Sequence, residues 1–104
     1  CYFFSNSYSN WNMMEKTEFD RLAEIFKALS HPIRLQIVFG LAEKKECNVT
    51  KMVEKLNMPQ PNVSQHINIL KNAGIIEGYR KGNQICYRVK DDIAEKIVKC
   101  FRTD

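Results

Sequence analysis

The chain has 104 residues and a formal net charge of +4, a size that suits one domain with a modest core. Its apolar fraction of 44% and charged fraction of 27% are those of an ordinary soluble protein, and no apolar run approaches the ~20 residues of a membrane span. Domains this small often gain their last stability by dimerising.

The opening CYFFSNSYSNWN is aromatic, polar and uncharged, without the basic start and continuous apolar middle of a signal peptide. Met13-Met14 offers a natural start. Residues 1–14 are therefore read as an N-terminal extension, either a native arm or a non-native or disordered upstream artefact, and residues 15–104 as the folded domain. Cys1, Cys47, Cys86 and Cys100 show no C-x-x-C spacing, which argues against a zinc ribbon and a dense disulfide framework. Without a secretion signal they read as reduced, cytosolic thiols.

Thr17 is placed to cap a first helix, with Asp20 three residues on and Phe19, Leu22, Ala23, Phe26 and Leu29 at helical spacing. Ser30 is read as the N-cap of a second helix, with Pro32 tolerated in its first turn and Ile33, Ile37, Val38 and Leu41 as its stripe. Asn48 caps a third helix, 48–56, in which Val49, Met52, Val53 and Leu56 repeat at i, i+3, i+4, i+7. Asn57 suits a left-handed terminus and Pro59 stops continuation.

A fourth helix, 60–73, carries Val63, Ile67 and Leu70 inward and ends at Gly74. Pro61 sits in its first turn, where a missing N–H costs little. The period then changes to two: Ile85, Tyr87 and Val89 alternate with Gln84, Cys86 and Arg88, and the loop KGN separates two such runs as a hairpin. Asp91 or Asp92 caps a last helix with Ile93, Ala94, Ile97, Val98, Cys100 and Phe101 largely on one side.

Charge is unevenly placed. Residues 58–90 hold Lys71, Arg80, Lys81, Arg88 and Lys90 against Glu77 alone, so the whole excess lies there. On charge alone two readings stand: a nucleic-acid footprint, or a solvated face that lacks carboxylates. The pattern of helices decides more. Two short helices joined by a tight turn form a helix-turn-helix whose second helix enters the DNA major groove by its N-terminal residues, and a basic hairpin after it would be a wing. The fourth helix shows Gln60, Asn62, Ser64, Gln65, His66, Asn68 and Asn72 where a surface helix would carry Lys and Glu.

Amides can bond adenine bidentately, and Ser can bond bases or phosphate. Gln60, Asn62, Ser64 and Gln65 are therefore candidate DNA contacts, with His66 a weaker one. Lys71 is placed for phosphate, and Arg80, Lys81 and Asn83 form the wing set. His66 is equally placed to be a satisfied, half-buried histidine. Arg34 reads as a structural ion-pair partner, and Arg88 as either contact or structure.

LSHPIRLQIV, PQPNVSQHINILKNAGIIEGYRKGNQICYRV and the order of elements resemble the ArsR/SmtB winged-helix repressors, nearest to the branch that includes sulfur-responsive members. The resemblance covers about residues 19–101. It implies a mainly α winged helix-turn-helix, α-α-α-α-β-β-α with a two-stranded β-hairpin wing, dimerising through its first and last helices. It also implies a homodimer that binds an imperfect inverted repeat in double-stranded operator DNA and is released by an inducer.

The family's metal sites look incomplete. One uses a Cys-x-Cys pair where this chain has ECNVTKM with Cys47 alone. The other uses Asp and His on the last helix, where this chain has Asp91 and Asp92 but no His. Zinc would lack its imidazoles. Sulfur-responsive relatives pair a second-helix Cys with one in the last helix; here Cys100 matches, the second-helix position is Phe39, and Cys47 is the nearest alternative. A disulfide between them needs Cα atoms within about 7 Å.

Each thiol also reads as a small core hydrophobe, Cys86 most of all. The resulting expectation is a repressor released by thiol modification or by a soft thiophilic ligand such as arsenite. Two alternatives remain: the same fold without a small-molecule inducer, and a winged helix used as a protein-interaction module. No carboxylate pair, nucleophile motif or phosphate loop suggests an enzyme.

Overall fold

A computed structural model of the chain describes residues 16–44 and 47–101. The expected N-terminal extension lies outside the described residues. The elements run α1 (Lys16–Leu29), α2 (Pro32–Lys44), β1 (Cys47–Asn48), α3 (Val49–Leu56), α4 (Gln60–Asn72), β2 (Ile76–Lys81), β3 (Gln84–Val89) and α5 (Asp92–Phe101). This is the expected helical fold with a hairpin wing. Among the described residues no helix is long and apolar enough to cross a membrane.

Local signals set most boundaries. Asn48 caps α3: its Oδ1 accepts the Lys51 N–H at 2.9 Å. Asn57 ends that helix in the left-handed region, φ 55°, with its N–H on the Val53 carbonyl at 2.9 Å. Gly74, φ +78°, ends α4. The Ile75 N–H reaches the Leu70 carbonyl at 3.0 Å and the Gly74 N–H the Lys71 carbonyl at 2.9 Å, the paired bonds of a Schellman motif. Gly82, φ +64°, opens the two-residue turn between β2 and β3, a position where a side chain would be strained.

Two expectations need correction. Thr17 lies inside α1 rather than at its cap, because the helix already includes Lys16. Ser30 closes α1 instead of opening α2: its hydroxyl donates to the Lys27 carbonyl at 2.8 Å. Pro32 occupies the first helical position of α2, so the cap falls to His31, whose Nδ1 accepts the Ile33 N–H at 3.1 Å. The sheet also has a third strand. β1 pairs antiparallel with β3 through Cys47↔Tyr87 and Asn48↔Cys86, giving the order β1-β3-β2.

The core is built from Ile25 and Leu29 of α1, Ile37, Val38 and Leu41 of α2, Met52 of α3, Val63, Ile67 and Leu70 of α4, Ile75 and Ile76, and Ala94 and Val98 of α5. Nearly every helix contributes one stripe. The inward face of α1 is Ile25, Ala28 and Leu29; Phe19 and Phe26, expected on it, are 46% and 52% exposed. The apolar side of α5 divides in the same way: Ala94 and Val98 are buried while Phe101 is 71% exposed. The last helix is fixed to the first by Asp91, which is buried. One carboxylate oxygen accepts the Ala94 N–H at 3.0 Å as N-cap, and the other pairs with Arg21 of α1.

Candidate nucleic-acid interface

The α3–α4 pair forms the helix-turn-helix, and the core decides which side of α4 faces out. Val63, Ile67 and Leu70 are buried, so the opposite side of the helix is left to solvent. On it Asn62 and Gln65 are exposed, with Ser64 half-buried at its edge, while Gln60 is exposed at the first residue of the helix, on the side of Val63 and Ile67. Asn68 and Asn72 are exposed as well and continue the row from Gln65 at i+3 and i+7. Those two were not among the candidate contacts, although helical spacing alone aligns them.

The start of α4 is built for exposure of this row. Pro59 turns the chain into the helix with its carbonyl accepting the Asn62 and Val63 N–H groups at 3.1 and 3.2 Å. No side chain caps the α4 N-terminus, which carries the positive end of the helix dipole.

The wing stands beside this face. Pairing runs Ile76↔Val89, Glu77↔Arg88, Gly78↔Tyr87, Tyr79↔Cys86, Arg80↔Ile85 and Lys81↔Gln84. Alternation then puts Gly78, Arg80, Ile85 and Tyr87 on one side, and Glu77, Tyr79, Lys81, Gln84, Cys86 and Arg88 on the other. Arg80, Lys81 and Asn83 are all exposed toward the wing's end. Lys71, at the end of α4, is exposed and holds its Nζ 6.0 Å from the centre of the Tyr87 ring, so helix and wing meet through a cation over an aromatic face. Gly78 keeps this contact open, since a Cβ there would lie 3.0 Å from the Tyr87 ring. At the other end, Asn48 Nδ2 donates to Gln84 Oε1 at 2.6 Å and so ties the cap of α3 to the wing.

Two arginines and one histidine are placed by the structure rather than by spacing. Arg88 donates from Nε to Glu77 Oε2 at 2.8 Å and lies over the Tyr79 ring at 4.7 Å; this is the structural one of its two readings. Arg34, expected in an ion pair, instead donates to the Ala28 carbonyl at 2.6 Å and to His66 Nδ1 at 3.3 Å. His66 is half-buried, with its ring centroid 4.5 Å from that of His31. Burial holds its pKa below the ordinary 6.5, and the charges of His31 and Arg34 add to this. It thus occupies the half-buried position, on the inner side of the row that Gln65 leads.

Cys86 is buried and Cys100 is exposed. The Cys47 side chain lies outside the described residues, and with it the expected approach of Cys47 to Cys100. Asp91, one of the two carboxylates weighed for a last-helix metal site, is committed to Arg21 and the α5 cap.

A model of bacterial regulatory proteins of the arsR family matches residues 31–78. An HTH-type transcriptional regulator of Methanocaldococcus jannaschii is 43% identical over 86 residues, spanning 83% of this chain and 94% of that protein. The crystal structure of the transcriptional repressor PagR of Bacillus anthracis superposes with a TM-score of 0.79 at 33% identity, covering 85% of this chain and all of that one. The homodimeric winged helix-turn-helix DNA-binding domain of Mb0332 from Mycobacterium bovis superposes with a TM-score of 0.73 at 25% identity over 85% of this chain and 83% of that one.

Proposed function

The chain belongs to the arsR family of bacterial regulatory proteins, which are transcriptional regulators and not enzymes, and we propose that it acts as a homodimeric repressor in the cytoplasm, binding an imperfect inverted repeat of operator DNA. The observation that carries this reading is the outward side of α4. It is exposed, rich in amides and free of acidic side chains, and Lys71 and the wing's Arg80 and Lys81 lie beside it. Gln60, Asn62, Ser64 and Gln65 read base edges, while Lys71, Arg80, Lys81 and Asn83 meet the backbone.

Dimerisation is supported by apolar surface that one copy leaves uncovered. Phe19 and Phe26 of α1 and Phe101 of α5 are exposed. Leu35, Phe39, Ile97 and Phe101 line an apolar groove, with the Phe39 and Phe101 rings 6.5 Å apart. Dimeric helix-turn-helix proteins bind two half-sites about one DNA turn apart, the arrangement of an inverted repeat.

Cys100 is exposed on α5 next to Phe101. Oxidation, persulfidation or arsenite binding there would alter the helix that joins the two copies and so release DNA. This reading gives thiol modification or a soft ligand as the inducer, with Cys47 as the second thiol.

The test is a duplex selected by the protein from a random pool, titrated across salt concentrations. A repressor loses affinity with a log–log slope of about −0.9 per phosphate neutralised, and its sites are inverted repeats. Absence of salt-dependent binding rejects the repressor. Binding that is unchanged by oxidant or arsenite in the wild type, and the same in Cys47→Ser and Cys100→Ser, rejects the thiol switch alone.

A further inference from the structure

Arg34 joins three helices behind the DNA-facing row. It projects from the first turn of α2, bonds the Ala28 carbonyl in the last turn of α1, and bonds His66 Nδ1 on α4. His31 completes the group, stacked 4.5 Å from His66 and spending its own Nδ1 on the Ile33 N–H. All three side chains are half-buried. A guanidinium only donates, so His66 Nδ1 must keep its lone pair. The His66 ring is therefore bonded here in its neutral form, with the proton on Nε2. A proton added at His66 Nδ1 sets a donor against a donor and brings a further cation beside Arg34.

We propose that His31, Arg34 and His66 form a positioning device for the recognition helix that holds α4 only while the His66 imidazole is neutral, so that acidification loosens the grip on DNA. Among the described residues, no carboxylate forms a salt bridge with either imidazole. Among the described residues, Glu24 and Lys27 of α1 line the cleft beside Arg34 as a pair of opposite sign. Lys51, Glu54 and Lys55 of α3 are exposed. On β2, Glu77 is held by Arg88, and Arg80 and Lys81 lie exposed toward the wing's end. The charges that bear on the His66 ring are those of His31 and Arg34, and with burial they already disfavour its protonation.

The sign of the effect separates this role from direct contact. Added positive charge ordinarily tightens binding to phosphates, and an imidazolium touching DNA would do the same. The device does the reverse. It rests on the reading that α4 meets DNA, and the two fail in different ways.

Wild-type protein and the His31→Asn/His66→Asn double variant are titrated, at constant ionic strength, against the duplex selected by the wild type. Asn carries an oxygen near where Nδ1 stood, so it keeps an acceptor for Arg34 and an N-cap for α2, but it does not titrate. The wild type is expected to lose at least about fivefold in affinity between roughly pH 8 and pH 5.5, the low end of ordinary coupling between sites. The double variant's ratio of the two affinities stays near one. Equal or tighter wild-type binding in acid overturns the device. So does a loss that persists in the double variant, or one that tracks melting of the helices by circular dichroism.

Absence of binding at the higher pH sinks the DNA reading instead. The device is then judged on the free protein by NMR. Ring nitrogen shifts are expected to report the Nε2–H form, and α4 amide shifts to follow the His66 titration. Amides that do not move overturn it.

Discussion

Arg80 and Arg88 are both exposed on the wing and both count toward its positive charge, yet they are predicted to behave differently on DNA. Arg88 is engaged by Glu77 at 2.8 Å and by the Tyr79 ring at 4.7 Å, on the opposite side of the hairpin from Arg80. Arg80 shares its side with Tyr87, over which Lys71 of the recognition helix lies. Arg80→Gln is therefore expected to remove one phosphate contact per wing, flattening the log–log salt slope by about 0.9, or about 1.8 for a dimer with two wings. Over a fourfold rise in salt, from roughly 50 to 200 mM, the salt-induced loss of affinity would shrink by about twelvefold relative to wild type. Replacing Arg88 and Glu77 together by Gln keeps the pair's summed charge at zero and is expected to leave the slope as it was. Fluorescence anisotropy with a labelled duplex across that range reads both slopes. Equal flattening by the two changes, or an unchanged slope in Arg80→Gln, would refute the assignment of roles.

Other predictions concern what holds the interface in place. Gly74→Ala would meet only Arg21 Nη1 at 3.9 Å, an ordinary contact, so its cost is backbone strain at φ +78°, roughly 1–2 kcal/mol, or about 4–8 °C of melting temperature per kcal/mol. Gly40→Ala, inside α2 with nothing within 4 Å, is expected to raise stability by about 0.5–1 kcal/mol; a thermal melt that reverses this order contradicts both. Asp91→Asn keeps the α5 cap but loses the pair with half-exposed Arg21, costing about 0.5–1 kcal/mol, while Asp91→Ala also loses the cap and costs about 2 kcal/mol. Equal losses in urea unfolding would mean that the cap contributes nothing. Because the folded pKa of His66 lies below 6.5, the unfolded chain takes up the proton first as pH falls. The stability this residue contributes is then whole above that value and declines as pH drops toward the folded pKa. His66→Asn should flatten that part of the urea midpoint against pH, and an unaltered profile would count against it.

What was legible in the sequence is what depends on near neighbours. Asn48, Asn57, Gly74 and Gly82 each mark a cap or a positive-φ turn within a few residues of themselves, and each stands where expected. β1 gave no such signal: two residues long, it exists through pairing with β3 some forty positions away, and its preference for a strand is set there. The Arg34–His66 bond likewise spans 32 positions and follows no helical or strand period. Ser30 looked the better cap by side-chain chemistry, but Pro32 fixed the first helical position and left the role to His31. Periodicity named the apolar residues of α1 and α5 without saying how many faces they formed, and only packing separated Ile25 from Phe26.

The same distinction bears on charge. The excess in residues 58–90 pointed to nucleic acid, but counting treats Arg88 and Arg80 alike. Once Arg88 is assigned to Glu77, the basic groups bordering α4 are Lys71 and those near the wing's end, placed at the rim of a row of amides rather than within it. A positive side chain inside that row would bind any phosphate and blur base selection, whereas amides bond base edges in fixed directions. The separation of rim from row is therefore a physical requirement for reading sequence, and it is why the absence of charge within the amide row of α4 carries more information than the presence of charge around it.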